Sequence, residues 1–163
     1  MTEWRQNLVD DDAGLLAILC EAKTVAVLGA KPGASEPAYF VPAYLRERGY
    51  RILPVNPGIA GRELLGADAV ARLADLAEAV DVVEIFRRPE HLPAHAAEIL
   101  ALPWLPRVVW FQLGIRHEAS AERLARVGIR VVQDRCMMPE HRRLIETGGR
   151  CRGGAAVAPP DGE

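Results

Sequence analysis

The sequence predicts an α/β domain in three layers: a doubly wound parallel sheet of five strands with helices on both faces. Two observations predict it. Four short apolar runs, Thr24 to Gly33, Arg51 to Gly58, Asp81 to Pro89 and Val108 to Gly114, each break off into a loop, and helical patterns of crossover length stand between most of them. Strands buried on both faces of a parallel sheet read as such continuous runs rather than as alternations. With right-handed crossovers the expected order is 3-2-1-4-5, with the switch point between the first and fourth strands. The carboxyl ends of neighbouring strands then lie side by side, which would bring Gly29, Asn56, Arg87, Arg88 and Gln112 to one rim.

Asp10 to Ala22 reads as a first helix, with Asp11 or Asp12 as cap and Leu15, Leu16, Ile18 and Leu19 as its apolar side, expected to cover one edge of the sheet. Thr24 to Leu28 is the first strand, ended by Gly29. Ala38 to Leu45 continues through Arg-Glu-Arg to Gly49 as a helix, with Pro42 tolerable only near its start. Arg51 to Val55 is the second strand. Asp68 to Ala79 carries alanine and leucine at helical spacing, with Leu73 and Leu76 on the apolar side. Asp81 to Phe86 is strand three, Glu90 to Ala101 a helix, Arg107 to Gln112 strand four, Glu118 to Val127 a helix closed by Gly128, Ile129 to Gln133 strand five, and Pro139 to Glu146 a last helix. Residues 1–147 form one expected domain. The Gly- and Pro-rich stretch 148–163 has little to bury and reads as a disordered tail.

Composition narrows the partners. Half of the 163 residues are apolar and the net charge is −2, which directs the chain toward neither nucleic acid nor a membrane surface, so an anion site must be local. No apolar stretch approaches the roughly 18 residues that span a bilayer, and the polar, acidic N-terminus is unlike a signal peptide, so a cytoplasmic setting is expected. Cys20, Cys136 and Cys151 are odd in number, widely spaced and without a CxxC pair, which predicts reduced thiols and no metal site.

Four loops carry chemistry. Gly29 lets a diphosphate approach the main chain, the next helix offers free N–H groups, and Lys31 adds charge, but Gly29-Ala30-Lys31-Pro32-Gly33 lacks the GxGxxG fingerprint and also suits a plain tight turn. Asn56 stands where a nicotinamide enzyme would carry an acid for the ribose hydroxyls. That argues against NAD and leaves room for a phosphorylated ribose, although Asn56-Pro57 also simply starts turns. Phe86, Arg87 and Arg88 offer a ring to a purine and two guanidiniums to phosphate, or else a solvated charge pair beside a core phenylalanine. Gln112, Leu113 and Gly114 either border a narrow channel or close a strand.

The ordered set Val25 to Gly33, Tyr50 to Pro57, Val82 to Arg88, Val109 to Gly114, Asp134-Arg135-Cys136 and Glu140-His141 resembles the small stand-alone CoA-binding proteins of bacteria, whose domain is similar to the N-terminal domain of the succinyl-CoA synthetase alpha subunit. The resemblance covers about Thr24 to Leu144. It implies a Rossmann-like nucleotide site for coenzyme A or an acyl-CoA as small-molecule ligand. Gly29, Ala30, Lys31 and Ser35 would lie along the phosphates and Val55, Asn56 and Pro57 along the adenosine. Phe86, Arg87 and Arg88 would form the adenine and phosphate corner, and Gln112, Leu113 and Gly114 the pantetheine side. The first loop departs from the family pattern. Ala30 replaces a small hydroxyl residue and Glu36-Pro37-Ala38 an Arg-Pro-Ser stretch, which sets a carboxylate near the phosphates with Lys31 to compensate.

No catalytic residue is assigned. His91, His95, His117 and His141 fall on helices or their ends, Ser35 and Ser120 lack a GxSxG elbow, and the phosphorylated histidine of the synthetase lies in a further domain that this chain is expected to be too short to contain. Cys136, after Arg135 and before a helix, is either acidified for a mixed disulfide with CoA or packed as a small hydrophobe. An NAD(P)-binding enzyme or accessory subunit, and a protein-interaction domain with a vestigial cleft, are the competing readings.

Overall fold

The computed structural model describes residues 3–147 and Cys151. Its elements are α1 (Asp12–Glu21), β1 (Thr24–Leu28), α2 (Pro37–Glu47), β2 (Arg51–Val55), the short strands β3 (Glu63–Leu64) and β4 (Ala67–Asp68), β5 (Val82–Ile85), α3 (Leu92–Leu100), β6 (Val108–Phe111), α4 (Glu118–Arg126), β7 (Arg130–Val132) and α5 (Met137–His141), which runs into a π-helical turn, Arg142–Glu146. The five principal strands form one parallel sheet.

The apolar runs became strands because both sides of each are covered. β1, β5 and β6 send Val25, Val27, Val82 and Trp110 into a core beneath α1, α2 and α5, and Ala26, Val83, Val109 and Phe111 into a second core beneath α3 and α4. This is the three-layer α/β sandwich that the runs predict. Single bridges close its open edges, Leu8 pairing with Val131 beside β7 and Val70 with Val55 beside β2. The β7 edge is therefore covered by the extended residue Leu8, whereas α1, capped by Asp11 (Oδ1 accepting from the Gly14 N–H, 3.1 Å), lies on a face.

The strand order differs from expectation. Counting principal strands along the chain it is 2-1-3-4-5, realised as β2-β1-β5-β6-β7, and not 3-2-1-4-5. The reason is the connection after β2. Asp68 to Ala79 is not a helix but the end of the β3–β4 hairpin followed by a 3-10 turn at Leu73–Asp75, and it carries Leu73 into the core opposite α2. A right-handed crossover on the opposite face runs in the opposite direction, so the chain passes β1 and lays β5 on its far side. The switch point accordingly falls between β1 and β5.

Smaller differences follow from end effects. α2 starts one residue early because Pro37 suits the first helical position, and it stops before Gly49, whose φ of 99° only glycine adopts readily. Pro42 consequently lies inside the helix, with no N–H to bond Ala38 O; that carbonyl instead accepts a long hydrogen bond from the Lys31 N–H (3.5 Å). The last helix begins at Met137 and widens into the π turn rather than running from Pro139. Cys20 and Cys151 are joined in a disulfide, Cα to Cα 5.3 Å, which overturns the expectation of reduced thiols for this pair; Cys136 is free. Cysteine spacing could not reveal this, since the chain between the two folds back on itself. Apart from Cys151, the stretch 148–163 expected as a tail lies outside the described residues.

Candidate functional site

The register of the sheet builds the rim. Leu28 pairs with Val55 and Ile85, and Ile85 with Phe111, so the next residue on each strand, Asn56, Gly29, Phe86 and Gln112, continues one row across the carboxyl edge. Ladder bonds hold that row: the Gly29 N–H donates to Val55 O (2.9 Å), the Phe86 N–H to Leu28 O (2.9 Å) and the Gln112 N–H to Ile85 O (3.3 Å). The glycine turn, the asparagine-proline step and the arginine pair therefore share one edge. The centre of that edge is the β1–β5 switch point, where open α/β sheets bind their ligands.

Gly29 has no replacement at this centre. Its φ is 91°, and a Cβ there would stand 2.7 Å from Phe86 O and 3.1 Å from Arg87 Cδ. The loop beyond it, Lys31 to Pro37, is exposed, Ser35 included, whereas Ala30 is buried. Gly33 meets only Glu36 Cγ, at 3.4 Å, and needs no special backbone. Lys31 Nζ lies 3.6 Å from Glu36 Oε2, both half in solvent, so the departure at Glu36 is answered by a weak ion pair.

Asn56 is a strut. Its Nδ2 donates to Ala30 O (2.8 Å) and its Oδ1 accepts from the Gly58 N–H (3.0 Å), so the amide ties the end of β2 to the first loop and forms the turn at Pro57. Arg87 is half-buried, and its Nε is buried with no hydrogen-bond partner; Arg88 is exposed. Among the described residues neither arginine enters an ion pair. Phe86 is half-buried against the α1–α2–α5 core, so its ring has only a partly free surface.

On the β6 side the row turns inward. Gln112 is 4% exposed and its Oε1 accepts from the Met137 N–H (3.2 Å), so the side chain anchors α5 instead of facing solvent. Leu113 is 70% exposed. Gly114, φ 84°, donates its N–H to Asp134 Oδ1 (2.6 Å), and Asp134 itself holds φ 57°. Asp134 is thus a rim-building residue that the sequence offers only as part of a motif.

Beneath the rim lies Glu84, which sequence reasoning passed over. It is 0% exposed, in register with Val27 and Trp110, and both carboxyl oxygens lack partners; burial pushes its pKa up to about 8. A charged residue in an otherwise apolar strand with no solvent-facing side was the available signal. Burial also pushes the Cys136 thiol up, hydrogen bonds from Met138 and Gln112 oppose this, and the Glu84 charge adds to the rise. The packed reading of Cys136 accords with that, and the acidified one does not.

The histidines serve locally. His117 Nδ1 accepts from the Ser120 N–H (3.1 Å) and caps α4, and His95 Nδ1 lies 3.5 Å from Glu98. His141 is buried with Nδ1 3.1 Å from the Tyr44 hydroxyl, and burial holds its pKa below the usual histidine value.

Comparison with known proteins agrees with this architecture. Uncharacterized protein YneT of Bacillus subtilis (strain 168) is 34% identical over 129 residues, which cover 79% of this chain and 93% of the relative. A Thermus thermophilus structure described as cell-free ID.343 is 53% identical with a TM-score of 0.78, covering 82% of this chain and 98% of its own. A hypothetical protein from Pyrococcus horikoshii OT3 is 30% identical with a TM-score of 0.75, covering 82% and 92%. The family model described as CoA binding domain matches residues 23–142, a span that holds β1 to β7 and every rim residue named above. The chain belongs to this family of CoA-binding domains.

Proposed function

We propose that the rim is a Rossmann-like nucleotide site for coenzyme A or an acyl-CoA, and that the protein binds this ligand without turning it over. The observation that carries the reading is Arg87, a half-buried guanidinium with an orphaned buried N–H, set at the switch point against Gly29, whose Cβ position is closed by Phe86 O. A buried donor without a partner is costly, and an anion seated over Gly29 would satisfy it.

In this proposal Gly29, Ala30, Lys31 and Ser35 line the phosphates, with the N-terminus of α2 adding its partial positive charge. Phe86, Arg87 and Arg88 take the adenine and ribose-phosphate corner. Val55 and Pro57 border the adenosine, and Asn56 acts by holding Ala30 in place. Leu113 and Gly114 offer an apolar, low-relief path to pantetheine, while Gln112 contributes through the backbone that it fixes. A second reading, an NAD(P)-type nucleotide, finds no ribose grip at the end of β2, since both ends of the Asn56 amide are engaged. Binding without turnover is supported by the local occupations of His117 and His141, and a cytoplasmic setting rests on the sequence alone. Among the described residues no helix is long and apolar enough to cross a membrane.

Calorimetric titration with CoA, dephospho-CoA, NAD and NADPH tests the reading. CoA should bind most tightly, and Arg87→Ala should weaken it by roughly 10- to 100-fold, the value of a charged hydrogen bond, with a smaller loss for dephospho-CoA. Preference for NADPH, or equal losses for both CoA forms, would overturn the assignment. Failure of all four ligands to bind would favour an interaction domain.

A further inference from the structure

We propose that the Cys20–Cys151 bridge is a redox-operated clasp that fastens the chain beyond the π turn to α1, and that low-molecular-weight thiols open it. The inference does not depend on the identity of the ligand at the rim.

One jaw is rigid. Cys20 stands in the last turn of α1, whose Leu15, Ile18 and Leu19 are fully buried. The other jaw, Cys151, lies four residues past Thr147, where the chain leaves a turn that is itself pinned. Arg48 Nε donates to Glu146 Oε1 (2.7 Å), Arg143 donates to Asp12 Oδ1 (2.8 Å), and Thr147 Oγ1 donates to Arg143 O (2.8 Å). The Cα separation of 5.3 Å is ordinary for a disulfide, so neither jaw must move for the bond to close. Both cysteines are half-buried, which leaves a path for a small reductant. The third cysteine takes no part. Cys136 follows the carboxyl end of β7, whereas Cys20 precedes the amino end of β1, so the thiols lie at opposite edges of a parallel sheet. Exchange must therefore come from outside.

The chemistry balances with a monothiol as reductant. Its thiolate attacks one bridge sulfur, the S–S bond breaks, and the displaced cysteine sulfur takes a proton. A second thiolate attacks the small-molecule sulfur of the mixed disulfide and displaces the remaining cysteine sulfur, which takes a proton, leaving two cysteine thiols and one small disulfide, with two electrons passed to the bridge. In an oxidising compartment the clasp is shut; in a reducing one it opens.

The bridged residues are 131 apart in sequence, so the clasp constrains nearly the whole chain when unfolded, the case in which a cross-link stabilises most. Oxidised protein is expected to melt about 10 °C above the reduced form. Cys151→Ser should melt at the reduced temperature and ignore reductant, and Cys136→Ala should keep the full response. Trypsin should cut beside Cys151, which lies between Arg150 and Arg152, faster after reduction. Peptide mapping that finds Cys136 in the bridge, or wild-type protein that melts identically with and without reductant, would overturn the proposal. Equal tryptic rates in both states would refute the fastening role even if the bridge forms.

Discussion

Replacing Glu84 by glutamine removes a titration from the interior while keeping shape and hydrogen-bonding capacity nearly constant. The carboxyl is fully buried without partners, and its pKa stands at about 8 against 4.5 for the unperturbed group. The native state therefore keeps the proton while the unfolded chain releases it. Below pH 4.5 both states hold the proton and Glu84 costs nothing by titration. Between 4.5 and about 8 native stability falls by about 1.4 kcal/mol per pH unit, and above 8 the loss levels off. At pH 7 the accumulated penalty is roughly 3 kcal/mol. Urea unfolding of wild type and Glu84→Gln at intervals from pH 5 to 9 measures the difference. The variant should gain steadily on wild type up to about pH 8 and hold its lead beyond. Parallel stability profiles across that range would refute the reasoning, because they would mean that Glu84 is already ionised and solvated in the native state.

Two further outcomes are expected. Gly29→Ala forces a side chain into φ 91° and against Phe86 O, and should cost about 3 kcal/mol in chemical denaturation, whereas Gly33→Ala should stay within roughly 0.5 kcal/mol of wild type. Asn56→Asp keeps the acceptor for the Gly58 N–H but turns the donor to Ala30 O into an anion facing it. A loss of about 2 kcal/mol is expected, together with faster amide exchange in the loop after Gly29, and unchanged exchange there would contradict the strut role.

The strands were legible because burial on both faces erases alternation, so Val25-Ala26-Val27-Leu28 and Val108-Val109-Trp110-Phe111 read directly as strands. The shared rim followed, since a parallel sheet puts all carboxyl ends on one side. Strand order was not legible, because it depends on which face the 56–81 connection covers, and that is decided by where Leu73 finds a core. The alanine and leucine pattern from Asp68 to Ala79 misled for a related reason. Leu73 and Leu76 are spaced alike in one 3-10 turn and in a helix, and the residues ahead of them are already drawn into the β3–β4 hairpin. At the rim, residue types announced a polar edge but not who serves whom. Asn56 and Gln112 look like ligand amides in sequence, yet each spends its side chain on the protein. The Cys20–Cys151 pair joins residues brought together only by the completed fold.

Pro42 gives α2 a vacancy in its ladder, and the acceptor left over at Ala38 is taken up by the backbone of Lys31, in the loop that follows Gly29. Helix perfection and loop order thus compete for a single carbonyl oxygen. Any change that lets α2 complete its own bonding would untie the segment leading from the sheet edge to the helix, so the least regular point of α2 is also what keeps its approach in register.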